Sequence, residues 1–116
     1  MSTKKDKFSI KDKFYMDLAL DLARSREGLT GTNPSVGCVI VKHDKIISVG
    51  QTSFKGRPHA EVNAINNSVE DLNDATMYVT LEPCSHYGLA PPCTNSIIRS
   101  KLKEVIYSVI DIDHRV

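Results

Sequence analysis

The chain has 116 residues, which is enough for one domain and too short for two independent cores. Hydrophobic residues make up 41% and charged residues 25%, the balance of a soluble globular protein rather than a disordered or fibrous one. Lys plus Arg is 15 and Asp plus Glu is 14, so the formal net charge is only +1. This near-neutrality gives no electrostatic reason to expect nucleic acid or a membrane surface as a partner.

Apolar runs and cysteines indicate the compartment. The longest apolar runs, Val36–Val41 and Val105–Ile110, are far shorter than the about 20 residues of a membrane-spanning helix. The N-terminus has lysines but no apolar stretch behind them, so it does not match a secretory signal. Three cysteines are an odd number and too few for a disulfide framework. These features predict a cytoplasmic protein whose cysteines serve packing, metal binding or catalysis.

The first predicted element is a helix from Lys13 to about Arg26, preceded by a flexible basic tail at residues 1–12. The apolar residues of this helix recur at helical spacing and predict one buried face. That face comprises Phe14, Leu18 and Leu22, with Ala19 and Ala23 beside them.

Strands and helices then alternate along the chain. The predicted strands are Val36–Val41, Ile46–Val49, Met77–Leu81 and Val105–Ile110, with a turn at His43–Lys45 between the first two. Two further helices are predicted. One opens at Pro58 or His59 and has Val62, Ile65 and Val69 on its apolar face, with Ala60 and Ala64 beside them, and the other spans Thr94–Leu102. The order predicts a layered α/β domain whose later strands run parallel through helical crossovers.

Two segments carry the residues suited to chemistry, and together they suggest a zinc site. His59, Cys84 and Cys93 supply one imidazole and two thiolates, the ligands that zinc prefers in a tetrahedral shell. Three protein ligands leave a fourth position for water, as in catalytic zinc sites. His86 is the nearby rival for that position, whereas Cys38 lies inside a predicted strand and is assigned to packing.

Glu61 follows the first predicted ligand by two residues, at the start of the same helix. Zinc lowers the pKa of bound water from about 15.7 to roughly 7. A neighbouring carboxylate can accept that proton and deliver it to a ring nitrogen and a departing amine. The combination of His-x-Glu with two later cysteines matches the pattern of nucleobase deaminases. It departs in one respect, since eight residues separate Cys84 from Cys93 where two are usual.

The stretch from Thr80 to Cys93, TLEPCSHYGLAPPC, resembles the deaminase domain of the bifunctional riboflavin-biosynthesis deaminase/reductase, and so do NPSVG at 33–37 and GRPHAEV at 56–62. The long cysteine spacing is specific to that family among zinc deaminases. The resemblance implies a cytidine-deaminase-like three-layer sandwich, with a central mixed sheet flanked by helices. It also implies deamination of 2,5-diamino-6-ribosylamino-4(3H)-pyrimidinone 5′-phosphate to the 5-amino-6-ribosylamino-uracil phosphate and ammonia.

The resemblance places one zinc ion on His59, Cys84 and Cys93 and the proton shuttle on Glu61. It makes Asn33 a contact of the pyrimidine, and His86 is either a second substrate contact or a structural loop residue.

The chain departs from the family pattern at several positions. Leu89 stands where a basic residue is usual and Thr52 where a histidine is common, and the segment Asp111–His114 replaces a more proline-rich one. We expect no reductase domain in these 116 residues, and we expect residues 13–116 to be a deaminase domain truncated at its C-terminus. We also expect a homo-oligomer.

Two alternatives remain open at this point. One is a zinc deaminase of another base, such as guanine, cytidine or tRNA adenosine, although a tRNA enzyme should show a more basic surface. The other is a non-catalytic zinc module, in which replacement of Glu61 would matter little.

Overall fold

The computed structural model describes residues 2–3, 9–25, 35–53, 59–80, 97 and 100–107. These residues form one five-stranded sheet in the order β1-β5-β4-β2-β3. The strands are β1 (Ser2–Thr3), β2 (Gly37–Lys42), β3 (Lys45–Gln51), β4 (Thr76–Val79) and β5 (Glu104–Tyr107). β2 pairs antiparallel with β3 and β4, whereas β4 with β5 and β5 with β1 are parallel. The predicted mixed sheet with parallel later strands is therefore confirmed.

A two-residue turn joins β2 to β3. His43 and Asp44 both have positive φ angles, 51° and 63°, the combination that a type I′ hairpin requires. Lys42 pairs with Lys45 on either side of the turn. Asp and His tolerate this backbone region better than most residues, so the predicted turn is confirmed with a physical reason for its sequence.

Helix α1 (Ile10–Arg24) begins three residues before the predicted start at Lys13. The Ser9 hydroxyl accepts from the Asp12 amide at 3.0 Å, and the Asp12 carboxylate accepts from the Ser9 amide at 3.1 Å. This reciprocal capping box satisfies two amides that would otherwise lack partners. Because Ser2 and Thr3 also pair with β5, the predicted tail contains both a short strand and the beginning of α1.

The buried face of α1 matches the predicted one except at Phe14, which is 58% exposed. Ala19 and Ala23 are buried, and Leu18 and Leu22 are partly buried against the core, as predicted. Tyr15 and Met16 are buried as well. Alanines face the sheet where the helix lies very close to β2. A Cβ atom on Gly37 would stand 1.8 Å from the Ala19 carbonyl oxygen.

Helix α2 (Ala60–Asn67) packs against β3 in the same manner. Ala60, Glu61 and Ala64 are buried. A Cβ atom on Gly50 would lie 2.3 Å from the Ala60 carbonyl oxygen and 2.5 Å from the Ala64 amide nitrogen. The prediction that Val69 continues the apolar face was wrong, because α2 ends at Asn67 and leaves Val69 96% exposed.

The core has two layers, one on each face of the sheet. Along β2, Cys38 and Ile40 pack on the side of α2, whereas Val39 and Val41 pack on the side of α1. This alternation explains why β2 is apolar from Cys38 to Val41, since a strand covered on both faces has no solvent side. Ile97 and Ser100, inside the third predicted helix, have helical backbone. The three-layer α/β arrangement is confirmed.

Among the described residues, no helix is both long enough and apolar enough to cross a membrane.

Candidate active site

His59 is the residue from which α2 starts. Its backbone is extended, with φ −74° and ψ 164°, and its carbonyl accepts the Asn63 amide at 3.0 Å, which closes the first turn. The imidazole makes no capping hydrogen bond to the helix. The backbone of His59 thus serves the helix, and the side chain is not used to cap it.

Glu61 lies in the first turn of α2 and is only 3% exposed. Burial raises the pKa of its carboxyl to about 7, and a hydrogen bond with its own backbone amide opposes this rise. A carboxyl group with a pKa near neutrality can both accept and donate a proton in the physiological range. The first turn is also a favourable place for negative charge, since helix amides point towards it.

The start of β2 lies between the ends of its two neighbouring strands. Thr52 follows β3, and it exchanges hydrogen bonds with Val36: its amide donates to the Val36 carbonyl at 3.0 Å, and its hydroxyl accepts from the Val36 amide at 2.9 Å. Thr80 follows β4 and does the same for Gly37, at 3.1 Å and 3.2 Å. Both threonines are buried. In the sequence, Thr80 directly precedes the segment that carries Cys84.

Asn63 connects α2 to the end of β3. Its side-chain amide donates to the Gln51 carbonyl at 2.6 Å and to the Ser53 hydroxyl at 2.9 Å. The helix that begins at His59 is therefore tied by hydrogen bonds to the residues on either side of Thr52.

The described residues include two of the six predicted site residues. His59 and Glu61 lie together at the start of α2, as predicted, and the other four lie outside the described residues: Asn33, Cys84, His86 and Cys93. Leu89 and the segment Asp111–His114 also lie outside them. Within the described part of the chain, no three His, Cys, Asp or Glu residues group to hold a metal ion.

The residues present fit a zinc ion by their donor chemistry. The predicted set of one imidazole and two thiolates is typical of zinc, and the buried Glu61 supplies a carboxyl two residues after the first predicted ligand, His59.

The hydrogen bonds that Thr52, Asn63 and Thr80 make in the fold were not predicted from the sequence. Both threonines directly follow an observed strand end, where a hydroxyl can bond to neighbouring backbone. The predicted strands gave no such signal, because Ile46–Val49 ends three residues before Thr52 and Met77–Leu81 includes Thr80. Asn63 gave no signal either, since an asparagine inside a helix is usually solvated. Thr52 stands where the resembled family commonly has a histidine, and its side chain is 1% exposed.

Comparison with known proteins places this arrangement in a family. Residues 9–109 match the cytidine and deoxycytidylate deaminase zinc-binding region. The chain is 52% identical over 100 residues to the riboflavin biosynthesis protein RibD of Aquifex aeolicus, covering 86% of this chain and 28% of that protein. It is 47% identical over 102 residues to the diaminohydroxyphosphoribosylamino-pyrimidine deaminase of Buchnera aphidicola, covering 88% of this chain and 69% of that protein.

Solved structures agree. The diaminohydroxyphosphoribosylaminopyrimidine deaminase/5-amino-6-(5-phosphoribosylamino)uracil reductase of Thermotoga maritima superposes with a TM-score of 0.80 at 42% identity, covering 88% of this chain and 30% of that one. The chain belongs to the cytidine and deoxycytidylate deaminase family. The three relatives named above are riboflavin-biosynthesis proteins or pyrimidine deaminases. They confirm the family resemblance found in the sequence. The chain spans less than a third of the Aquifex and Thermotoga proteins.

Proposed function

We propose that this chain catalyses the hydrolytic deamination of 2,5-diamino-6-ribosylamino-4(3H)-pyrimidinone 5′-phosphate, with one zinc ion per chain. The observation that carries the proposal is the buried Glu61 at the start of α2, two residues after His59. The named activity of the Buchnera relative, 47% identical and covered over 69% of its length, supports the choice of substrate.

His59, Cys84 and Cys93 hold the zinc ion in this proposal. When bound, the ion supplies Lewis-acid chemistry that makes water nucleophilic at neutral pH. The position of His59 is fixed by the first turn of α2, which its backbone carbonyl closes by accepting the Asn63 amide at 3.0 Å.

Glu61 moves the protons. Its carboxylate takes one proton from the attacking water and passes it to a pyrimidine ring nitrogen as the water oxygen adds to the amine-bearing ring carbon. It then moves the remaining hydroxyl proton of this adduct to the exocyclic amine. The carbon–nitrogen bond breaks, ammonia leaves, and the ring carbon keeps the oxygen as a carbonyl. The low exposure of Glu61 keeps bulk water from competing for those protons.

Asn33 and His86 are the proposed substrate contacts, as the family resemblance implies. Leu89 cannot hold the phosphate by charge, and Thr52 cannot reach outward from its buried position. Phosphate recognition in this chain therefore uses other residues than the family pattern suggests.

In this proposal residues 13–116, together with β1 and the start of α1 that precede them in the fold, form a deaminase domain, and the chain works as a homo-oligomer in the cytoplasm. The match to the deaminase/reductase of Thermotoga maritima, over 88% of this chain, supports the deaminase assignment. Size-exclusion chromatography with light scattering measures the assembly.

The test is ammonia release by the purified protein with the phosphoribosyl diaminopyrimidinone, together with its zinc content. One zinc per chain with substrate-dependent ammonia supports the proposal. Ammonia release from guanine or cytidine but not from this compound assigns the chain to another base. Zinc without turnover on any base, together with a Glu61→Gln variant that keeps its zinc and stability, identifies a non-catalytic zinc module.

A further inference from the structure

Residues 51–53 connect three parts of the fold next to the proposed active site. Asn63 of α2 binds the Gln51 carbonyl and the Ser53 hydroxyl, at 2.6 Å and 2.9 Å. The Gln51 side chain donates to the Leu22 carbonyl at the end of α1, at 2.9 Å. This segment is therefore fixed to both helices, including the one that begins at His59.

Thr52 extends the connection to the start of β2. Its hydroxyl accepts the Val36 amide at 2.9 Å, and it also lies 3.4 Å from the Val36 carbonyl oxygen, to which it can donate. Thr80 holds the next residue, Gly37, from the opposite side. The backbone at Val36 and Gly37 is thus bonded on both flanks, three residues after Asn33 in the sequence.

We propose that Thr52 is a positioning residue of the deaminase, whose buried hydroxyl fixes the chain at Val36 relative to the helix of His59 and Glu61. The inference rests on the proposed function, because the segment it positions leads directly to the proposed pyrimidine contact Asn33. Thr52 touches no substrate in this proposal. It acts through the backbone, from a side chain that is 1% exposed.

The hydroxyl of Thr52 is the group that accepts the Val36 amide, so the proposed positioning role depends on it. Valine has nearly the same shape and keeps the backbone bond from residue 52 to the Val36 carbonyl, but it cannot accept the Val36 amide. Serine keeps the acceptor and loses only a methyl group. Comparing Thr52→Val with Thr52→Ser therefore separates the hydrogen bond from the packing.

Steady-state kinetics is the first arm of the test. We expect Thr52→Val to raise KM about tenfold, equivalent to about 1.4 kcal/mol of binding, with kcat within about twofold and zinc content unchanged, since a weakened substrate contact acts on binding. Thr52→Ser should restore most of the affinity.

Tyr78→Phe is the matched control. It also removes a buried side-chain hydrogen bond, that of the Tyr78 hydroxyl to Asp12 at 2.6 Å, but on the face of the sheet covered by α1. It should lower stability and leave KM unchanged. A wild-type KM in Thr52→Val, or the same KM change in Tyr78→Phe, overturns the positioning role.

Hydrogen exchange of the Val36 amide is the second arm, and it needs no substrate. In Thr52→Val this amide should exchange at least about tenfold faster, since it has lost its acceptor, and Thr52→Ser should restore the protection. Unchanged exchange overturns the inference whatever the enzyme acts on. Faster exchange in a protein inactive on the phosphoribosyl pyrimidine supports the positioning contact while the proposed substrate fails.

Discussion

Gly50 controls how closely the helix of His59 and Glu61 lies on the sheet, so Gly50→Ala tests whether that position matters. The new Cβ atom would stand 2.3 Å from the Ala60 carbonyl oxygen, 2.5 Å from the Ala64 amide nitrogen and 2.9 Å from the Ala64 Cβ. Normal contacts lie near 3.5 Å, so the start of α2 must move outward by about 1 Å.

The size of the effect follows from that displacement. Overpacking of this kind costs about 1–3 kcal/mol of folding free energy. A shift of about 1 Å in catalytic groups costs about 100-fold in rate. We therefore expect Gly50→Ala to fold with reduced stability and to lose about 100-fold in kcat/KM for deamination, with weaker zinc retention against a chelator.

Leu72→Ala is the control for lost stability alone. Leu72 is buried in the core layer on the side of α2, but it lies before β4 rather than at the site. Its truncation costs about 2–5 kcal/mol and should leave kcat/KM of the folded protein near wild type. Urea unfolding and ammonia release are measured on both variants. A Gly50→Ala protein that is destabilised yet fully active would refute the argument that close packing of α2 sets the geometry of Glu61.

Three further changes give independent predictions. Glu61→Gln should lower kcat by at least about 100-fold while zinc content, measured by metal analysis, stays unchanged, because general acid–base catalysis contributes about 10²–10⁴-fold; wild-type turnover would exclude Glu61 as the proton shuttle. Ser9→Ala removes the cap of α1 and should cost about 1 kcal/mol in urea unfolding without changing deamination; an unchanged unfolding midpoint would show that the capping box contributes nothing. Burial, followed by the hydrogen bond to Asp12, raises the pKa of Tyr78 above its ordinary value near 10. The folded state therefore holds the phenolic proton more tightly, and this stabilisation is complete below about pH 10 and is lost as pH rises through the folded pKa. Tyr78→Phe should be less stable than wild type at about pH 8 and lose less further stability above about pH 10; parallel pH profiles of the two proteins would contradict this reasoning.

Much of the fold could be predicted from local patterns. β2 is apolar from Cys38 to Val41, which indicates a strand covered on both faces. The His43–Asp44 turn follows from residues that accept positive φ angles. The start of α1 could have been predicted as well, since Ser9 and Asp12 have the spacing of a capping box.

The faces of the helices could be predicted only in part in this way. Periodicity places Phe14 and Val69 in the core, but both are exposed, and the alanines of both helices lie against the sheet. The cause lies far away in the sequence, in two glycines on neighbouring strands that allow the helix backbone to approach. A pattern within one helix contains no information about the residue that it will meet.

The sequence alone predicted a zinc-dependent deaminase, because His59, Glu61, Cys84 and Cys93 are residue types suited to that chemistry in a spacing that resembles one family. The match of residues 9–109 confirms the family. The raised pKa of the Glu61 carboxyl and the contacts that hold α2 on the sheet are visible only in the tertiary structure. The raised pKa of Glu61 comes from burial, and burial depends on how closely α2 packs against β3. The bonds of Thr52 to Val36 join residues 16 positions apart in the chain. Desolvation and long-range hydrogen bonds exist only after the chain has folded, and for that reason no local pattern could predict them.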